Sequence, residues 1–179
     1  MQEYFDIVDE NNIPTREKKL RSESHAKGFW HRTVHIYLFK KVDDKFYFIV
    51  HLRAKNKDLH PNCWDTRFGG HIKAGENVED TVKSELMEEV GLKLEKSNLI
   101  QGEIYKRDKY PNREFTYSFY YKFDEDISTL KFNDGEVQEI KWMESSDMMK
   151  SMTDNPQIWA GSKEGVIKIL DVLKNKLNN

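Results

Sequence analysis

GHIKAGENVEDTVKSELMEEVGL, residues 70 to 92, is the stretch that decides the fold. Asn77 is a favourable helix N-cap, and Gly91 is the left-handed residue expected just beyond a helix C-terminus. The pattern therefore predicts a helix from about Val78 to Val90. Its apolar row at i, i+4 spacing, which is predicted to pack inward, consists of Val78, Val82, Leu86 and Val90.

Three glutamates crowd the C-terminal end of this predicted helix. At about 100° per residue, Glu85, Glu88 and Glu89 fall within an arc of about 100°. Carboxylates are unfavourable there, because this end of a helix carries partial negative charge and each acid costs about 0.3 to 1 kcal/mol. A bound divalent cation would reverse the sign of that cost. The cluster therefore indicates a cation site. The alternative is that the three glutamates lie exposed on a solvated helix face and repel each other weakly without any function.

The spacing of the whole stretch resembles the signature of the Nudix hydrolases. That signature is glycine, five residues, glutamate, seven residues, arginine-glutamate, an aliphatic residue, any residue, glutamate-glutamate, any residue, glycine and an aliphatic residue. Gly70, Glu76 and the run SELMEEVGL from 84 to 92 match it at every fixed position except one. Ser84 stands where the family has an arginine that holds the first catalytic glutamate, and Lys83 points about 100° away on a helix.

The resemblance implies an α/β fold of the Nudix type, which is an α/β/α sandwich with a mixed sheet, and hydrolysis of a diphosphate bond. It implies that the helix glutamates are catalytic and bind Mg²⁺ or Mn²⁺, hard cations that prefer oxygen ligands. The metal ligands that it implies are Glu85, Glu88, Glu89 and the carbonyl of Gly70. Family members often draw the catalytic base from a distant loop, so Glu136 and Glu139 are candidates, with exposed strand residues as the alternative for both.

Four further segments resemble one branch of this family, the isopentenyl-diphosphate isomerases and their hydrolase-like relatives. They are SHAKGFWHRTVHIYLF (24–39), RAKNK (53–57), HPNCWD (60–65) and GGHIKAGE (69–76). By that resemblance His25, His31 and His71 form a possible second metal site, with surface or packing imidazoles as the alternative. Arg53 and Lys57 stand where the branch places cations against its diphosphate, so they are candidate substrate-binding residues.

One position separates this chain from the isomerases of that branch. The isomerases use an essential cysteine as acid or base two residues before the third histidine, where this chain has Gly69. The single cysteine, Cys63, lies too far upstream to be assumed a replacement. Because a glycine delivers no proton and all three helix glutamates are present, hydrolysis is predicted rather than isomerisation.

Length and composition predict one compact domain of 179 residues. A formal net charge of −2 and a pI near 6.3 argue against bulk nucleic-acid binding, which needs a strongly basic surface. One cysteine excludes an internal disulfide, and the chain shows neither a long apolar run nor a charged and then apolar N-terminus. We therefore expect a cytoplasmic monomer or homodimer that acts on a small-molecule diphosphate, with no membrane partner.

The remaining patterns divide this single domain, residues 1–179, into three parts. Residues 1–28 are predicted to form an N-terminal extension, with a hairpin that begins at residues 4–8 and a helical stretch from 16 to 27. Residues 29–150 are predicted to form the core, with strands near 34–38, 46–50, 64–69, 99–106, 114–123 and 136–142 and a short helix from Ser145 or Ser146. Residues 162–176 are predicted to form the last helix, whose apolar stripe is Val166, Ile169, Leu170 and Leu173.

The sequence thus predicts a metal-dependent hydrolase that cleaves a diphosphate bond in a nucleoside diphosphate or triphosphate derivative. Two alternatives are an isopentenyl-diphosphate isomerase-like enzyme and a catalytically inactive ligand-binding domain, which Ser84 favours. A bulk nucleic-acid binder is a third alternative, and the acidic pI disfavours it.

Overall fold

The computed structural model describes residues 2–57, 59–132 and 135–177. Its strands, in chain order, are β1 (Tyr4–Val8), β2 (Pro14–Leu20), β3 (His31–Val42), β4 (Lys45–Arg53), β5 (Trp64–Asp65), β6 (Leu99–Lys109), β7 (Asn112–Lys122) and β8 (Val137–Glu144). Its α-helices are α1 (Arg21–Lys27), α2 (Val78–Val90), α3 (Ser145–Asp154) and α4 (Lys163–Leu177). Within these ranges, no helix has the length and apolar character needed to cross a membrane.

A mixed six-stranded sheet organises the core. At its centre β3 runs parallel to β7, with His31 opposite Glu114, and antiparallel to β4, with Phe39 opposite Phe48. β6 pairs with β7, and β5 and β8 pair with β4, all in antiparallel fashion. β1 and β2 form a separate antiparallel hairpin. The predicted α/β fold with a mixed sheet and an N-terminal hairpin is confirmed.

Alternation along β3 divides the interior into two cores, because successive side chains of a strand point to opposite faces of the sheet. Val34, Ile36 and Leu38 are fully buried in the core that contains α2, whereas Tyr37 and Phe39 lie in the core that contains α3 and α4. The helix residues of this second core are Met148, Met152, Val166, Ile169, Leu170 and Leu173. Helices therefore cover both faces of the sheet, and the predicted apolar stripe of α4 is confirmed.

Both ends of α2 lie where the sequence predicts them. The Asp80 amide donates to the Asn77 side chain at 2.9 Å, and Gly91 has a left-handed φ of 67°. Val82, Leu86 and Val90 are fully buried in the first core. Packing of this apolar row fixes the rotation of α2 about its axis and thereby the direction of its glutamates.

The stretch from 16 to 27 is helical only in part, so that prediction is wrong for its first half. The segment Pro14–Leu20 forms β2, and α1 begins at Arg21. β2 pairs with β1, with Tyr4 opposite Leu20. Those ladder hydrogen bonds satisfy the backbone of a strand whose charged side chains are mostly exposed. Long-range pairing therefore outweighs the local helix propensity of these residues.

The strand predicted over 64–69 is shortened to Trp64–Asp65. Beyond it the chain runs beside β3, where Phe68 and Ile36 exchange backbone hydrogen bonds of 2.9 and 2.7 Å. Gly69 then adopts a φ of 125°, which side chains with a Cβ rarely adopt, and isolated pairing with β3 continues as far as His71, opposite Thr33. Residues 66–72 are called the glycine segment below.

The N-terminal hairpin packs onto the loop between the glycine segment and α2. The Ala74 amide donates to the Tyr4 carbonyl at 2.8 Å, and the Gly75 amide donates to the Asp6 carboxylate at 2.7 Å. Phe5 is fully buried. The hairpin is therefore part of the structure that positions the entry to α2.

The N-cap of α2 offers a test of local stability. Replacing Asn77 by Ala removes the acceptor for the Asp80 amide, so Asn77→Ala is expected to lower the free energy of unfolding by about 1 kcal/mol. Urea unfolding followed by circular dichroism measures the change. Asn56→Ala, at an exposed loop position, is the control and is expected to stay within about 0.5 kcal/mol of the wild type. Equal losses in the two variants would contradict the capping role.

Candidate functional site

A cleft of about 460 Å³ opens at the C-terminal end of α2. Glu85, Glu88 and Glu89 line one part of it, so we call it the acidic cleft. The basic side chains that also line it are Arg21, Arg53, Lys57, Arg67 and Lys73. Carboxylates beside arginines and lysines suit a phosphate compound that binds together with a cation.

The glycine segment holds two of the glutamates in place. The Gly69 amide donates to a carboxylate oxygen of Glu89 at 2.7 Å. Gly70 lies directly against the Glu85 carboxylate, so that a Cβ at Gly70 would collide with it. A Cβ at Gly69 would collide in turn with the Val34 carbonyl. Gly69 therefore requires glycine for its close approach to β3, whereas a side chain at Gly70 would displace the Glu85 carboxylate.

The Gly70 carbonyl, a metal ligand expected from the sequence, already accepts one hydrogen bond. The Val34 amide donates to it at 2.8 Å, which ties the glycine segment to β3. A carbonyl oxygen has two lone pairs, so one of them is left for a second partner.

Burial and crowding make the charged form of these glutamates costly. Burial, together with the charge of the neighbouring Glu88 carboxylate, raises the pKa of Glu85 to about 7. Burial, together with the Glu85 charge, raises the pKa of Glu89 to about 8, although the Gly69 amide opposes the shift. A positive ion among the three carboxylates would relieve both causes.

Ser84 does not take over the role of the missing family arginine. Its side chain is partly buried and makes no hydrogen bond within the described part of the chain. Lys83 contacts Glu79 and Asp80 instead, at 3.3 and 3.2 Å. The Gly69 amide donates to Glu89 instead, whereas the family arginine holds the first glutamate, which is Glu85 here.

The predicted phosphate-binding residues both line the acidic cleft. The Arg53 guanidinium donates to the Leu59 carbonyl at 2.9 Å. Lys57 forms an ion pair with Glu136, which also lines the cleft. Glu139 is exposed on β8 and is absent from the described lining of the cleft. Of the two candidate bases, the structure therefore brings Glu136 to the carboxylates and leaves Glu139 outside.

Three histidines that the sequence singled out come together beside the cleft. The Nε2 atom of His25 lies 3.2 Å from Nε2 of both His31 and His71. Glu114 is 3.8 Å from His31, and the candidate ligand atoms of all four residues lie within 4.8 Å of one another. The Phe5 ring stacks on His31 and His71 at centroid distances of 4.9 and 4.7 Å. We call His25, His31, His71 and Glu114 the histidine cluster.

The environment of the cluster favours neutral imidazoles. Burial lowers the pKa of His25 and His31 below the ordinary value and that of His71 to about 2. A neutral imidazole offers a lone pair to a metal ion. Sequence reasoning missed Glu114, because its place depends on the parallel register that sets it opposite His31.

Sequence reasoning also missed Arg67 and His51, which line the acidic cleft. Arg67 lies two residues before Gly69, and alternate residues of an extended segment lie on the same face. This spacing could have indicated that Arg67 lies on the same face as Gly69. His51 is almost fully buried on β4 and packs on the Phe68 ring at 4.6 Å. Nothing in the sequence around His51 distinguishes it from a residue that packs in the core.

Comparison with known proteins gives concordant matches. The NUDIX domain family model matches residues 29–161. An uncharacterized Nudix hydrolase of Clostridium acetobutylicum is 36% identical over 140 residues, which cover 76% of this chain and 67% of the relative. An isopentenyl-diphosphate Delta-isomerase of Aliivibrio fischeri is 28% identical over 166 residues, or 89% of this chain and 90% of that enzyme. A crystal structure of a Deinococcus radiodurans protein superposes with a TM-score of 0.65 and 19% identity, covering 86% of this chain and 90% of that one.

The raised pKa of Glu89 predicts a pH-dependent stability in the absence of metal. Unfolded glutamate has a pKa near 4.5, so between about pH 5 and 8 the folded protein retains a proton on Glu89 that the unfolded chain releases. Stability from this group is therefore lost as pH rises through that window. Glu89→Gln, which has no charge to lose, is expected to become progressively more stable relative to the wild type from pH 5 to 8 and to hold that advantage above it.

Urea unfolding in the presence of EDTA measures the free energy of unfolding of both proteins at each pH. The histidines titrate in the opposite sense, but both proteins contain them, so their contribution cancels in the difference. Glu79→Gln, in the exposed first turn of α2, is the control and is expected to show no such trend. A constant difference between wild type and Glu89→Gln across the window would contradict the assigned pKa.

Proposed function

This chain belongs to the Nudix hydrolase family, and from that premise we propose that it is a metal-dependent hydrolase that cleaves a diphosphate bond in a nucleoside diphosphate or triphosphate derivative. The observation that carries the proposal is the acidic cleft, in which Glu85, Glu88 and Glu89 lie in one cleft with Arg53 and Lys57. Carboxylates and cationic side chains in one cleft match the two halves of a metal-bound phosphate substrate.

The donor set fits Mg²⁺ or Mn²⁺. Glu85, Glu88 and Glu89 would hold the ion with the free lone pair of the Gly70 carbonyl, and all of these donors are oxygen atoms. When bound, such an ion neutralises charge on the phosphate oxygens and favours loss of a proton from the attacking water. The raised pKa values of Glu85 and Glu89 support the assignment, because they identify a place where negative charge lacks compensation.

The side chains of the chain itself bind the substrate and accept the proton. Arg53 and Lys57 would bind phosphate oxygens, which keeps the diphosphate beside the glutamates. The base would be Glu85, or else Glu136, which lies in the cleft and is already paired with Lys57. In that role the Glu136 carboxylate would release Lys57 and accept a proton from the attacking water molecule.

The first test of the proposed function is the loss of one glutamate. Glu89→Gln is expected to lower hydrolysis of nucleoside diphosphate and triphosphate derivatives by several orders of magnitude, because it removes a metal ligand without changing the shape of the side chain. Chromatography of the phosphomonoester and pyrophosphate products formed in the presence of Mg²⁺ or Mn²⁺ measures turnover, and circular dichroism measures folding. Glu79→Gln, on the same helix outside the cleft, is the control and is expected to keep full activity. Near wild-type activity of Glu89→Gln would refute the assignment.

A second candidate function, isomerisation of isopentenyl diphosphate, is favoured by the histidine cluster. Its histidines are those that the resemblance to the isomerases singles out, and one such isomerase aligns over 89% of this chain. Gly69 argues against it, because the position of the isomerase acid carries no proton donor. Cys63 does not compensate, since its thiol donates to the Gln157 carbonyl and the residue is absent from the described lining of the cleft.

The two candidate functions differ in their products. Incubation with isopentenyl diphosphate and metal is expected to leave the double bond in place, because no acid replaces the isomerase cysteine. Nuclear magnetic resonance of the product distinguishes double-bond migration from phosphate release. Migration without phosphate release would favour the isomerase over the hydrolase.

A further inference from the structure

A second cavity, of about 680 Å³, adjoins the acidic cleft. It is bordered by β3 and β7 on one side and by α3 and α4 on the other. Arg53, Arg67 and the glycine segment line both spaces. A molecule that extends from the carboxylates past these arginines therefore enters the second cavity.

Arg67 is fixed at the boundary between the two spaces. Its Nε and Nη2 atoms donate to the two carboxylate oxygens of Asp65 at 2.8 and 2.9 Å, and Nη2 also donates to the Ala160 carbonyl at 3.2 Å. Asp65 is only 3% exposed and accepts two backbone amides as well. Among the described residues, none accepts a hydrogen bond from Nη1 of Arg67. The guanidinium is therefore held rigidly while one of its nitrogen atoms stays available to a ligand.

Arg53 lies beside the same buried carboxylate. Its Nη1 atom is 3.7 Å from Asp65, while its Nε and Nη2 atoms contact the Leu59 carbonyl. One carboxylate thus lies next to two guanidinium groups, and the trio keeps a net positive charge. Two arginines fixed side by side match the oxygen atoms of a phosphoryl group.

The second cavity is amphipathic. Its polar lining residues on the sheet side include His35, Arg107 and Asn112, and its apolar lining residues on the helix side are Met152, Val166 and Ile169. The polar side chains on the sheet side therefore favour a ligand with hydrogen-bonding atoms of its own and disfavour a purely apolar chain.

From these observations we propose that Arg67, together with Arg53, binds the phosphoryl group on the leaving-group side of the diphosphate, and that the attached group enters the second cavity. That group carries hydrogen-bonding atoms, so a polar moiety such as a nucleoside or sugar is preferred to an isoprenoid chain. Arg67 is then a binding residue for the reaction, and Asp65 is the residue that positions it. This inference rests on the proposed function.

Binding can be measured without turnover in the Glu89→Gln protein. Isothermal titration calorimetry with two probes separates the two parts of the inference. Inorganic tripolyphosphate has no group to place in the second cavity, whereas ADP-ribose has one. A third probe, geranyl diphosphate, carries an apolar chain and is expected to bind more weakly than ADP-ribose. Tighter binding of geranyl diphosphate would overturn the preference for a polar group.

Adding Arg67→Gln is expected to weaken the binding of both tripolyphosphate and ADP-ribose by about tenfold or more, because both carry the phosphoryl group. Arg113→Gln is the matched control. Arg113 pairs with Asp108 at 3.0 Å, is exposed to a similar degree as Arg67, and does not line either space. An unchanged affinity for tripolyphosphate in the Arg67→Gln variant would overturn the assignment of Arg67.

Adding Gly165→Phe is expected to weaken the binding of ADP-ribose by about tenfold while leaving tripolyphosphate binding unchanged. Gly165 lies at the exposed edge of the second cavity, and a Cβ there would meet only Ser162, at 3.8 Å, so the helix tolerates the substitution. Ile167→Phe, on the exposed side of α4, is the control. Equal losses for both probes, or an unchanged affinity for ADP-ribose, would overturn the placement of the leaving group.

The failure of this inference can be distinguished from the failure of the proposed function. If the variants change binding as expected but the wild type hydrolyses no diphosphate, the binding role of Arg67 is supported and the hydrolase is contradicted. Turnover by the wild type with unchanged affinities in both variants would overturn the inference and leave the hydrolase standing. Melting temperatures of all variants verify that each is folded.

Discussion

The backbone contact between the glycine segment and the end of α2 is the constraint on which the rest of the site depends. β3 holds this segment through hydrogen bonds at Phe68 and Gly70, and the segment in turn touches Glu85 and Glu89 without any intervening Cβ. Since the first core fixes the rotation of α2, the carboxylates have few other directions to take. The sheet, the helix and the two glycines therefore define one rigid arrangement of negative charge.

That arrangement is electrostatically incomplete by itself. Partly buried glutamates whose pKa values rise to about 7 and 8 stand at the negative end of a helix. The basic side chains of the cleft lie on different elements, and several of them are already engaged, Arg67 with Asp65 and Lys57 with Glu136. In the proposed function the missing positive charge comes from a bound cation. This shortage of positive charge is the physical basis for proposing that a cation and a phosphate compound bind together.

Local patterns in the sequence sufficed for α2, because Asn77, Gly91 and the apolar row act within a few residues of one another. They failed for β2, where pairing with β1 overrides the preferences of a charged segment. The resemblance to a family directed attention to the three histidines, but not to Glu114, which only the register of two distant strands brings beside them. Arg67 was also missed, although its partner Asp65 is only two residues away, because its place between the two cavities depends on the fold. Short-range chemistry is readable from a sequence, whereas charge partners across a sheet depend on topology.

The N-terminal hairpin has a consequence for where this domain begins. The residues matched by the family start at 29, yet Phe5 covers two imidazoles of the histidine cluster and His25 supplies a third. A protein shortened to the matched region would lose His25 outright and expose the remaining imidazoles to water. It would also free the loop before α2 from its anchors at Tyr4 and Asp6. The unit that folds around these imidazoles is thus longer than the matched region, and β1 shields them from solvent.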